Sequence, residues 1–307
     1  MSLSILQISS YGTLIIFIIG IIIRWKKWSS MPIHLRWELY PVPHEAGRSH
    51  YGGSYLEDID WWNYERKTTL IGELKELFAE MLFIKRVYKY KRQLWWITYP
   101  FHTGIYLILI WFALLFLNSV IVYYGNVAIS SNILWNQFIY YAVLIVGSIG
   151  IIITTLGTIG LLIKRYSDPS MRKYTTGIEY FNLLFILVTL ITGIIAWYYD
   201  PDFSIAKTYM ISLISFGNYS LPQLGNVIVV HIILLQLLWI YIPFSKMSHF
   251  IGKYFTYHKV LWDDTPNLRK SDIETKVKEL VTLKLPWNAP HIKKNKTWLE
   301  NVKGDYE

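Results

Sequence analysis

The chain has 307 residues, a formal net charge of +9, 53% hydrophobic and 17% aromatic residues, and no cysteine. The missing thiols exclude iron–sulfur clusters, covalent c-type haem, thiol catalysis and cysteine zinc sites. The positive charge flanks long apolar segments and forms no separate basic domain, which points to membrane topology and anionic lipid and away from nucleic acid.

Five apolar segments, at about residues 3–23, 97–117, 138–163, 178–198 and 225–244, are long enough to cross a hydrocarbon core of about 30 Å. The predicted fold is all-α: a polytopic, multi-pass membrane protein of five transmembrane helices. The first segment has no basic stretch before it and no small-residue cleavage site after it. Arg24, Lys26 and Lys27 follow at once, so it reads as an anchor and not as a cleaved signal.

The connection 24–96 is much longer than ordinary loops and is expected to be structured or functional. It holds Tyr40-Pro-Val-Pro-His-Glu45, the pair Gly52-Gly53 and a helical pattern over 68–90, and it carries Lys85, Arg86, Lys89, Lys91 and Arg92 beside the second span. The next loop, 118–137, has no Lys or Arg. The following one carries Lys164, Arg165, Arg172 and Lys173, and the one after that only Lys207. The tail is basic again and bears Trp262, Trp287 and Trp298. Cytoplasmic loops carry the Lys and Arg excess, so the expected orientation is N-terminus outside and C-terminus inside. The expected organisation is a first anchor (1–25), a long cytoplasmic loop (26–96), a four-helix membrane bundle (97–249) and a tail (250–307). Tryptophans among charges mark that tail as a partner-docking surface or membrane anchor.

Histidines in a bilayer are costly and usually have partners. His102 belongs to the second span, His231 lies near the outer end of the fifth and His249 at its inner end. A separation of 18 residues is five helical turns, about 27 Å, which predicts one shared face for His231 and His249. By depth, His102 and His249 pair near the inner surface, where two imidazoles can hold one iron axially. The plainer reading makes them buried histidines bonded to carbonyls or hydroxyls. His231, near the outer surface, has three readings: ligand of a second haem, hydrogen-bond donor at a quinone site, or structural residue. The loop histidines His34, His44, His50, His258 and His291 have no metal-ligand spacing and receive no site.

Gly147, Gly150, Gly157 and Gly160 recur at helical spacing in the third span, as close helix packing or room for a porphyrin requires. Arg165, Arg172 and Lys173 fit topology and could also meet haem propionates. Glu179 is the main ionisable residue of the spans, too little for a transporter pathway.

Three stretches carry a family likeness: Pro100-Phe-His-Thr-Gly-Ile105, the inner loop from Gly160 through Lys164-Arg165-Tyr-Ser-Asp-Pro169 to Gly177, and His231 through Pro243-Phe-Ser-Lys-Met-Ser-His249. Over roughly residues 95–255 the chain resembles the gamma subunits of respiratory nitrate reductase, di-haem cytochrome b membrane anchors. The resemblance implies an inner haem on the positions of His102 and His249. It implies an outer haem on the position of His231 and one ten residues after His102, where this chain has Phe112. The long loop, with Pro32-Ile-His-Leu-Arg-Trp-Glu-Leu-Tyr-Pro41 and Asp60-Trp-Trp62, looks like relatives that work with heterodisulfide-reductase-like subunits in anaerobes. The implied protein is a haem b subunit of the inner cell membrane, exchanging electrons between menaquinone or another quinone and a cytoplasmic iron–sulfur partner. A non-catalytic membrane anchor is the alternative.

Overall fold

A computed structural model of the chain describes residues 3–31, 45, 47–48, 54–64, 67–125, 134–262 and 267–304. The stretch 32–44, Gly52-Gly53 and the histidines His34, His44 and His50 lie outside the described residues. In chain order the helices are α1 (Ile5–Ser29), α2 (Leu70–Phe83), α3 (Lys85–Tyr90), α4 (Arg92–Tyr124), α5 (Leu134–Ser167), α6 (Pro169–Tyr174), α7 (Gly177–Tyr199), α8 (Ser204–Ile214), α9 (Asn226–Tyr241), α10 (His249–Thr256), α11 (Asp272–Val281) and α12 (Trp298–Lys303). Among the described residues there is no strand, only isolated bridges such as Lys284 with Thr297. Helices α1, α4, α5, α7 and α9 are long and apolar enough to cross a membrane, so the all-α, five-span expectation holds.

Local sequence explains the helix ends. Asp168 precedes Pro169, and its Oδ1 accepts hydrogen bonds from the Ser170 and Met171 amides at 3.0 and 3.3 Å. This capping fixes the start of α6, where proline's missing N–H costs nothing. The Ser170 hydroxyl, Lys164 and these amides hold the Asp168 carboxyl well below the usual carboxylate range. Thr176 and Glu179 form a capping box on α7, and Glu179 also pairs with Lys246 at 3.2 Å. Its place in the sequence is therefore explained by a helix start. Asp200, buried, accepts from the Ile205 and Ala206 amides and so starts α8.

The chain forms two compact units: Met1–Gly20 with Phe78–Met247, and Ile21–Leu77 with Ser248–Glu307. In the first, α4 packs on α5 and α8, α5 on α7, and α7 on α9. Close approach of α4 and α5 depends on the glycine stripe. A Cβ at Gly157 would stand 2.6 Å from the Phe101 Cα, and one at Gly104 would stand 2.6 Å from the Thr154 amide nitrogen. Gly147 faces Trp111, Gly150 faces Leu107 and Ile108, and Gly160 faces Ile97. All four α5 glycines therefore serve helix packing, the small-residue mode of membrane bundles.

In the second unit, Trp25 stacks on Tyr254 at 5.5 Å and Trp28 covers Gly252. Leu77 packs on buried Tyr257 and Trp262. His258 is held between the Glu73 carboxylate and the Tyr254 carbonyl.

One expectation fails. His231 and His249 do not share a helix face, because α9 ends at Tyr241. A 3₁₀ turn follows over Ile242–Phe244, then extended Ser245 (φ −111°, ψ 177°), a second 3₁₀ turn, and α10 begins at His249. Pro243 has no amide to donate to Trp239 and its ring crowds that carbonyl, so the helix stops before it.

Candidate functional site

His102 sits half-buried in α4, two residues after Pro100. Its Nδ1 lies 2.8 Å from the Thr98 carbonyl oxygen. A carbonyl only accepts, so Nδ1 carries the proton of this hydrogen bond. A ring whose tautomer and orientation are set this way is suited to metal ligation through Nε2. Its neighbour Phe101 is buried with Leu161 and Leu183, and Gly157 presses on the Phe101 backbone. Helix α5 thus fixes the level and rotation of α4 at His102.

His249 belongs to the second unit, where it opens α10 and is exposed after buried Ser248.

His231 turns toward α7. Its Nδ1 is 3.1 Å from the Thr192 hydroxyl oxygen, and that hydroxyl donates to the Thr189 carbonyl at 2.9 Å. A Cβ at Gly193 would meet the His231 Cε1 at 3.0 Å, so glycine there makes room for the imidazole. Phe112 takes no part in these His231 contacts. The Phe112 ring instead meets Trp239 of α9 at 5.9 Å, edge to face, and Phe17 of α1 meets Trp239 at 4.7 Å. Position 112 therefore faces an aromatic ring of α9.

Two cavities belong to the first unit. On the side of the Lys- and Arg-rich loops, one of about 310 Å³ is lined by Lys91, Arg165, Ser170, Met171, Tyr174 and Thr175. Arg165 pairs loosely with Glu179 at 3.9 Å, and its Nε is buried without a hydrogen-bond partner. Buried donors of that kind mark a place for an acceptor. Arg172 and Lys173 do not line this cavity. At the opposite end, a mostly apolar cavity of about 290 Å³ is lined by Tyr199, Ile205, Gly225, Asn226, Val227 and Ile228. Val227 and Ile228 stand four and three residues before His231, so the cavity opens one turn beyond its imidazole on the same side of α9.

Sequence reasoning singled out the three histidines and missed their supports. Thr98 was legible as the residue one turn before His102. Thr192, Gly193 and Trp239 were not, since no pattern in an all-apolar segment assigns partners across helices.

Residues 87–262 match the family model described as nitrate reductase gamma subunit. No curated protein and no solved structure matches the chain. The matched span exceeds half of the chain and holds His102, His231, His249, the Gly160–Gly177 loop and all the α4–α5 packing. The chain belongs to the nitrate reductase gamma subunit family, membrane cytochrome b subunits that transfer electrons within multi-subunit complexes.

Proposed function

We propose that the chain is the haem b subunit of an inner-membrane complex, passing electrons between the quinone pool and an iron–sulfur partner on the cytoplasmic side. The family match across His102 and His249 carries this reading. The donor set fits: His102 has its Nδ1 proton committed to Thr98, and the unpartnered Arg165 Nε and Lys91 offer positive charge to propionates. His102 and His249 would hold the haem, which would supply a one-electron carrier.

The protein's own groups do the rest. Thr98 orients the His102 imidazole. Tyr199 and Asn226 line the outer cavity, an apolar space with few polar groups of the kind that takes a quinone ring, and His231 stands one turn further along α9. Protons from a quinol there would leave outward. His231 serves this cavity and the α7 contact in this reading, and no second haem is assigned to it. The orientation follows from the basic residues of the inner loops. The partner, of the heterodisulfide-reductase-like kind, docks on the cytoplasmic segments, where Trp62 and Trp287 are exposed.

A reduced-minus-oxidised optical spectrum of the purified chain tests the reading, with b-type absorbance and one haem iron per chain expected. His102→Ala and His249→Ala should each abolish it, and His231→Ala should leave haem content unchanged while lowering quinol oxidation. Absence of b-type absorbance would make the chain a non-catalytic anchor.

A further inference from the structure

Helix α2 has its polarity reversed for a surface helix in water. Glu80 is buried and Glu73 and Glu76 are partly covered, all on one face at i, i+3 and i+7. Ile71, Leu74, Phe78 and Leu82, on the opposite face, are 79, 39, 54 and 44% exposed. An amphipathic helix in water turns its apolar stripe inward. Here the carboxylates turn inward: Glu80 accepts from the Arg86 amide at 2.9 Å, and Glu73 receives His258.

The carboxyl end of α2 is fastened to the membrane-spanning α4. The last carbonyls of a helix lack internal partners, and water usually supplies them. In α2, Tyr106 of α4 donates its hydroxyl to the Met81 carbonyl at 2.6 Å, and the Trp95 indole N–H donates to the Phe83 carbonyl at 2.7 Å. The Phe83 ring stacks on Tyr99. Tyr106 lies 14 residues beyond Arg92 and four beyond His102, about 20 Å along the helix axis from the charged end. Trp95 lies only three residues beyond Arg92, about 5 Å along the axis, so the end of α2 stands between these two levels, where carbonyls that face hydrocarbon need side-chain partners. Ile84 (φ 51°) then turns the chain, and Lys85, Arg86 and Lys89 of α3 follow at the level where headgroups attract cations. Leu109 and Ile110 on α4 are likewise 49 and 48% exposed. Lys75 beside it can extend its ammonium toward the surface.

We infer that α2 is embedded in the leaflet that α4 enters, its Ile71–Leu74–Phe78–Leu82 stripe solvated by phospholipid acyl chains, so that the long inner connection is in part a membrane element. This holds whatever the haem content.

The native chain has no cysteine, so Phe78→Cys and Leu82→Cys each give one site for a nitroxide label in the full-length protein. Leu109→Cys serves as the lipid-facing control and Glu279→Cys as the aqueous one. In liposomes of the cell's phospholipids, spectral relaxation by oxygen and by a water-soluble nickel chelate is compared. Labels at 78 and 82 should match position 109, with oxygen collisions several-fold above nickel collisions. A nickel-accessible pattern like that of position 279 would overturn the inference, as would exclusion of both relaxants, which would mean another protein covers the stripe.

Discussion

Phe112 and His231 are the residues on which the proposed number of haem sites turns. The family resemblance implies a histidine where Phe112 stands, and the ring there rests on Trp239, which Phe17 also contacts. Reinstating the imidazole by Phe112→His would therefore not be enough for a second haem, since Trp239 occupies the space it faces. Haem iron per chain in Phe112→His should equal that of the native chain. A doubling would mean that His231 leaves Thr192 to join position 112. The histidines themselves were legible in the sequence, because few polar residues interrupt the spans. Which way His231 points was not, since α9 is apolar on every side and an all-round apolar helix declares no buried face.

Among the elements, the α4–α5 pair has the tightest backbone approach. Its glycines were read as helix packing or porphyrin clearance, and their contacts with Ile97, Phe101, Leu107, Ile108 and Trp111 assign them to packing. A methyl at Gly157 collides with the Phe101 backbone at 2.6 Å, which no rotamer change relieves. Gly157→Ala should cost on the order of 1–3 kcal/mol, the usual range for overpacking, and should lower haem content by shifting α4 beside His102. Gly12→Ala, with nothing within 4 Å of the added Cβ, should change neither. Thermal unfolding in detergent and the haem-to-protein ratio check both variants. Other element boundaries were legible in local chemistry: Asp168-Pro169 starts α6, Thr176 with Glu179 starts α7, and Pro243 stops α9. The broken α9 separates His231 from His249 and removes the shared face that an 18-residue spacing implies on an unbroken helix.

For the whole molecule, the orientation rests on the Lys and Arg of alternate loops. Ser220→Cys should react with a membrane-impermeant maleimide in intact cells, and Lys276→Cys only after lysis; the reverse pattern would invert the topology and the proposed side of the partner. The sequence by itself determined the five spans, because a run of about 20 apolar residues is stable across hydrocarbon whatever it packs against. It determined the family too, through motifs around His102, Asp168 and His249. Only the tertiary structure decided that His231 packs on Gly193 and that Trp239 stands against Phe112. It also decided that α2 turns its carboxylates inward and its apolar stripe outward. The physical reason is that hydropathy fixes how much apolar surface a helix has, while which neighbour or solvent that surface meets depends on residues far away in the chain.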